Sequence, residues 1–90
     1  MNLKTPKEMA VDAAGRFKRI RKAKGITIKE LSERSGVPYS TIRRFESSGE
    51  LSFVALVKIA SAINEDGQID SLFADYIPAS IEEVIRGNAG

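Results

Sequence analysis

The chain has 90 residues, 42% of them hydrophobic and 29% charged, and a formal net charge of +2. Those values suit one globular domain with a single core, in which folding hides roughly 60–70% of the surface of the unfolded chain. Cysteine and histidine are both absent, which excludes disulfides and thiolate metal sites and removes the commonest general base and zinc ligand, so neither a metal nor a cofactor is expected.

Helix signals are dense and strand signals nearly absent. "TPKE" at 5–8 is a capping box in which Thr5 caps, Pro6 suits the first helical position and Glu8 reaches back. Met9, Ala13, Phe17, Ile20 and Ala23 then recur at helical steps until Gly25, predicting a helix over about 6–24. "TIKE" at 27–30 is a second box, and with Leu31 and the stop at Gly36 it predicts a helix over about 28–35. "SGVP" is a turn, and Pro38 opens a helix over about 38–47 that Gly49 ends. Ser52 caps "FVALVKIASAI", which offers Phe53, Leu56, Val57, Ile59, Ala60 and Ile63 to the core. "NEDG" at 64–67 breaks that helix, and a short one is expected around "IDSLF". Beyond Pro78, Ser80 and Glu83 form a third capping box ahead of Val84 and Ile85, with Gly87 closing the segment. The expected fold is all-α with five or six short helices, divided into a domain over 1–74 and a C-terminal tail over 75–90.

Two short helices joined by a turn of three or four residues with a glycine make a helix-turn-helix. At about 100° per residue, Arg43, Arg44 and Ser47 all lie within about 60° of Ser40 on the second helix, and Tyr39 flanks them. Pro38, Ile42 and Phe45 fall on the opposite side. An arginine fork can donate two hydrogen bonds to guanine O6 and N7, hydroxyls reach bases or phosphates, and a tyrosine ring can meet a thymine methyl. The fitting partner is double-stranded DNA. Taken alone, the same residues would also make an ordinary solvated face.

The stretch "FKRIRKAKGITIKELSERSGVPYSTIRRFESSGELSFVALVKIASAI" resembles the Cro/C1-type (XRE-family) helix-turn-helix regulators, which include the lambdoid phage repressors. The resemblance covers roughly residues 14–73 and rests on "KGIT", "ELSERSGV", "STIRRFE" and "LVKIASAI" in combination. It implies a lambda-repressor-like five-helix domain that binds a two-fold operator as a homodimer, typically as a repressor. Tyr39, Ser40 and Arg44 match base-contacting positions of the family, and Arg43 matches one that reaches bases or phosphate. Thr27, Lys29, Thr41, Ser47 and Ser52 are the phosphate-contacting candidates. Arg21 and Glu46 match a pair linking the first helix to the end of the third, a structural role that fits a carboxylate one residue beyond an apolar anchor. Two departures stand out. Ile28 occupies a position where the family often has Gln, leaving phosphate to Lys29, Thr27 or the helix amides. The loop "SSGEL" carries Glu50 where the phage repressors often carry a cation. Both departures predict modest affinity per half-site and a greater dependence on dimerisation.

Charge is distributed unevenly. Residues 1–25 hold eight Lys/Arg and two acids, whereas 51–90 hold two basic and six acidic side chains. Lys18, Arg19, Lys22 and Lys24 either lie near the DNA backbone or form the solvent face of the first helix. Residues 69–86, which run into the tail, mix Ile69, Leu72, Phe73, Tyr76, Ile77, Ile81, Val84 and Ile85 with Asp70, Asp75, Glu82 and Glu83. They could dock on the domain itself, form a dimer interface or meet another protein. "LSFVALVKIASAINEDGQIDSLF" is similar to regulators that act as the antitoxin beside a kinase-type toxin, which would make a toxin the protein partner. An enzyme is not expected, because no glycine-rich phosphate loop or paired carboxylates accompany the missing His and Cys. "MNLKTPKEMA" lacks a signal-peptide core, no apolar run is long enough to cross a membrane, and a cytoplasmic location is the default.

Overall fold

The computed structural model describes residues 3–89, apart from the side chains of residues 83, 88 and 89. Its helices are α1 (Pro6–Ala23), α2 (Ile28–Ser35), α3 (Tyr39–Ser48), α4 (Phe53–Ala62), α5 (Asp66–Asp70) and α6 (Ile81–Ala89), and no strand occurs among the described residues. α1 packs on α3, α2 packs on α3 and α4, and α5 packs on α4. The described part of α6 packs on none of them. The fold is all-α, as the helix signals predict.

Local chemistry sets the helix starts. Both boxes close reciprocally: Thr5 Oγ1 accepts from the Glu8 amide and Thr27 Oγ1 from the Glu30 amide, each at 3.1 Å, while each glutamate accepts from the cap residue's own N–H. Ser52 Oγ accepts from the Ala55 amide at 3.1 Å and starts α4. The third box depends on Glu83, whose side chain lies outside the described residues. Between α2 and α3, Gly36 takes a left-handed φ of 76° and donates its N–H to the Ser32 carbonyl at 2.9 Å. Ser32 Oγ donates to the Val37 carbonyl at 2.7 Å and Ser35 Oγ accepts from the Val37 amide at 3.1 Å, so the turn satisfies its own polar groups.

The core is built from Ala14, Phe17, Ile26, Leu31, Val37, Ile42, Phe45, Ile59 and Ile63. Phe17 and Phe45 meet edge to face with centroids 5.7 Å apart, which joins α1 to α3. Beside them lies a buried ion pair. Arg21 Nε and Nη2 donate to the two carboxylate oxygens of Glu46 at 2.7 and 2.8 Å, and Arg21 Nη1 donates to the Ile26 carbonyl at 2.8 Å. The hydrogen bonds that Arg21 donates to Glu46 hold its guanidinium even more firmly protonated than usual.

Several expectations need correcting. Met9, Ala13 and Ala23 are exposed, because the packed stripe of α1 runs through Ala10, Ala14, Phe17 and Arg21 instead. Two overlapping stripes are present in α1, and the one containing an arginine is the buried one. Phe53 opens α4 from the solvent side at 55% exposure, and Pro38 is exposed just before α3 rather than on its packed face. α5 begins at Asp66, not in "IDSLF", because Asn64 alone breaks the helix at a φ of 61° and the chain resumes helical turns at once. Asparagine tolerates that left-handed conformation better than most residues. Gly87 lies within α6, which runs to Ala89.

Gly49 is the tightest point of the fold. Its φ is 75°, and a Cβ built there would stand 2.6 Å from the Ala10 carbonyl carbon, whereas one at Gly36 would meet nothing within 4 Å. Gly36→Ala should therefore cost about 1–2 kcal/mol for the left-handed backbone alone. Gly49→Ala should cost clearly more, and equal losses in parallel urea unfolding would contradict the close approach of α1 to α3. Glu46→Ala strands a buried guanidinium and should cost about 3–5 kcal/mol. Arg21→Met with Glu46→Leu removes both charges and should recover most of that loss in the same assay.

Candidate nucleic-acid interface

The outer side of α3 is positioned by what its inner side buries. Ile42 and Phe45 enter the core and Glu46 is clamped by Arg21. With that side fixed, Ser40, Arg43, Arg44 and Ser47 stand exposed, Tyr39 is 47% exposed, and Thr41 is half-buried. A shallow open groove of about 490 Å³ runs along one flank, lined by Ser40, Thr41, Arg44, Glu50, Leu51 and Ser52. It brings base-contacting and phosphate-contacting candidates onto one surface. Tyr39, Arg43 and Ser47 lie outside it, on the exposed remainder of α3.

The phosphate candidates differ in how free they are. Ser52 uses its oxygen as the α4 cap, which leaves its hydroxyl proton and the first α4 amides facing outward. Ser47 Oγ donates back to the Arg44 carbonyl at 3.1 Å, leaving its lone pairs outward, where they suit a donor better than a phosphate. Thr27 and Lys29 stand apart at the start of α2. Thr27 is committed to its box, accepting from the Glu30 amide and donating to Glu30 Oε1 at 3.0 Å. The Thr27 backbone N–H, which donates to the same carboxylate oxygen, and then the Thr27 hydroxyl hold the Glu30 carboxyl below its ordinary range and keep a negative charge there. Lys29 is exposed and carries the available positive charge at that end.

The arginines are not equivalent. Arg43 makes no ion pair among the described residues. Arg44 Nη2 donates to Glu50 Oε2 at 2.6 Å, and Lys7 Nζ lies 3.6 Å from Glu50 Oε1 while donating to the Ser48 carbonyl at 2.7 Å. The Arg44 hydrogen bond, helped by the charges of Lys7 and Arg44, keeps the Glu50 carboxyl below the usual glutamate range. Glu50 and Lys7 were not among the candidate site residues, and no sequence spacing points to either as a partner of Arg44. In the basic cluster, Lys24 is tied to the Ile63 carbonyl and to Glu65 at 3.1 Å, whereas Lys18, Arg19 and Lys22 remain exposed on α1.

Among the described residues no helix is long and apolar enough to cross a membrane, and no three acidic side chains gather as a metal site would require. No solved structure shows a significant match to the chain. An uncharacterized HTH-type transcriptional regulator of Methanocaldococcus jannaschii is 39% identical over 59 residues, which cover 62% of this chain and 34% of that protein. The chain thus spans about a third of that relative's length. Residues 17–69 match the helix-turn-helix family from Phe17 in α1 through α4 to Ile69 in α5, more than half of the sequence, and the chain belongs to that family.

Proposed function

We propose that the chain is a sequence-specific regulator of transcription, a repressor that binds double-stranded DNA as a homodimer on a palindromic operator. One observation carries the reading. α3 holds Ser40, Arg43 and Arg44 outward on a rod whose opposite side is locked by Ile42, Phe45 and the Arg21–Glu46 pair. A helix of that shape and polarity fits the major groove, with the arginine forks directed at guanine and Tyr39 and Ser40 beside them. Thr41, Ser52 and the α4 amides would meet the backbone on one flank, and Lys29 on the other, since Thr27 is occupied by its cap. Ser47 contributes least in this scheme. The family membership and the regulator named above support the same class of activity. A non-enzymatic role in the cytoplasm accompanies it.

In this reading residues 1–74 contact DNA and 75–90 serve assembly. Tyr76 is 64%, Ile77 91% and Ile81 80% exposed, and Phe73 just before them is 91% exposed, more apolar surface than a solitary monomer ordinarily leaves open. A two-fold dimer would set the half-sites about one helical turn apart. The same exposed tail favours a second reading, an antitoxin that binds and neutralises a toxin and represses its own operon. A stable complex with the product of an adjacent gene, abolished by Ile77→Asp, would select it over the simple repressor.

Selection of duplexes from a random pool at near-physiological salt, for the wild type beside Arg44→Ala, tests the leading function. The expected result is an enriched palindrome that Arg44→Ala relaxes at one position per half-site, with each lost contact worth about 1–3 kcal/mol. Absence of any enriched sequence would remove direct base reading by α3.

A further inference from the structure

Glu50 places a carboxylate in the groove that also contains Ser40, Thr41, Arg44 and Ser52. On a surface that meets a polyanion, such a charge repels phosphate. It is not explained by folding either, since the Arg44 and Glu50 side chains are 73% and 57% exposed and pairs so exposed add little to stability. Its geometry is nevertheless well defined. Gly49, at a φ of 75°, ends α3 and turns the chain back, so that Glu50 arrives beside a residue of the helix just completed. The carboxylate is then held from two sides, by Arg44 Nη2 at 2.6 Å and by Lys7 Nζ at 3.6 Å, and Lys7 is itself anchored on the Ser48 carbonyl at 2.7 Å.

A guanidinium has five N–H groups in a planar fork. Glu50 engages one of those on Nη2, and the rest remain for the two acceptors of a guanine edge. An arginine braced in this way surrenders less rotamer freedom on contacting a base. The same carboxylate offsets the charge with which Arg44 and Lys7 would otherwise grip any phosphate backbone. The two effects act in one direction: random DNA is held less firmly, while the matched site keeps its directed hydrogen bonds.

We infer that Glu50 is a specificity-determining residue, a brace on Arg44 that improves discrimination between operator and random DNA at the expense of general affinity. This rests on the reading of α3 as the DNA-contacting helix. Its role is positioning, exerted through Arg44.

The test measures binding to the selected duplex and to a scrambled one across a salt titration, for wild type, Glu50→Gln, Glu50→Ala, Arg44→Ala and Arg44→Ala/Glu50→Ala. Comparing two duplexes on the same protein cancels any change in folded fraction. Glu50→Gln should tighten binding to scrambled DNA and steepen its log–log salt dependence by about 1. Glu50→Ala should do the same and lower the selected-to-scrambled ratio by about two- to tenfold, because the acceptor is gone as well. In the Arg44→Ala background the loss of Glu50 should no longer change that ratio. An unchanged ratio in Glu50→Ala, or an equal fall without Arg44, overturns the inference while leaving the DNA-reading helix intact. A wild type that binds both duplexes alike overturns both.

Discussion

The buried pair of Arg21 and Glu46 is the constraint on which the remaining geometry depends. One guanidinium bonds to both oxygens of a carboxylate on α3 and to the carbonyl of Ile26, in the loop that leads into α2. Three segments are thereby referred to a single planar group. Exchanging such a pair for apolar residues of similar volume often costs little, because desolvation offsets the attraction between the charges. Its particular contribution is direction. Apolar contacts such as Phe17 on Phe45 tolerate some rotation of one helix on another, whereas a fork-to-fork hydrogen bond does not. Since Glu46 sits on the opposite side of α3 from Ser40 and Arg44, fixing its carboxylate also fixes where those two side chains point.

Much of this was legible in the sequence where the cause is local. The boxes at Thr5 and Thr27, the cap at Ser52 and the left-handed stops at Gly36 and Gly49 all act within a few residues, and the predicted starts and ends of α1 and α2 follow them closely. The outward face of α3 was legible too, because Ile42 and Phe45 fix an axis from which the polar side can be counted. What escaped was non-local. The pairing of Arg21 with Glu46 was expected from the family resemblance, but the helical periodicity of α1 alone does not say that Ala14 is buried rather than Ala13 and Ala23, since that choice depends on how α3 approaches. The contact of Arg44 with Glu50 requires the chain reversal at Gly49, and the approach of Lys7 requires α1 to be docked already. α5 escaped for a different reason, namely that a single asparagine at positive φ does the work of a longer break.

Counting charges gives a poor picture of this surface until their partners are known. Of the basic residues in the first half of the chain, Arg21 is enclosed, Lys24 is bonded to the corner after α4, and Lys7 is shared between Ser48 and Glu50. Lys4, Arg34 and Arg44 are paired with acids at the surface, and Arg16, Lys18, Arg19, Lys22, Lys29 and Arg43 are left facing solvent. They are spread over α1, α2 and α3 instead of gathered in one patch. A distribution of that kind creates a diffuse positive field whose reach is set by the ionic strength and has no short-range focus of its own.

The segment after α5 shares no buried side chain with the helices that precede it, and the described residues of α6 touch none of those helices. Free-energy effects couple only where residues share contacts or a common cavity. The effects of changes in that segment and of changes in α3 on the stability of the fold should therefore add. Substitutions in that segment and substitutions in the helices before it can accumulate in a lineage independently, neither disturbing the packing of the other. The two kinds of evolutionary change require no compensating substitutions in each other.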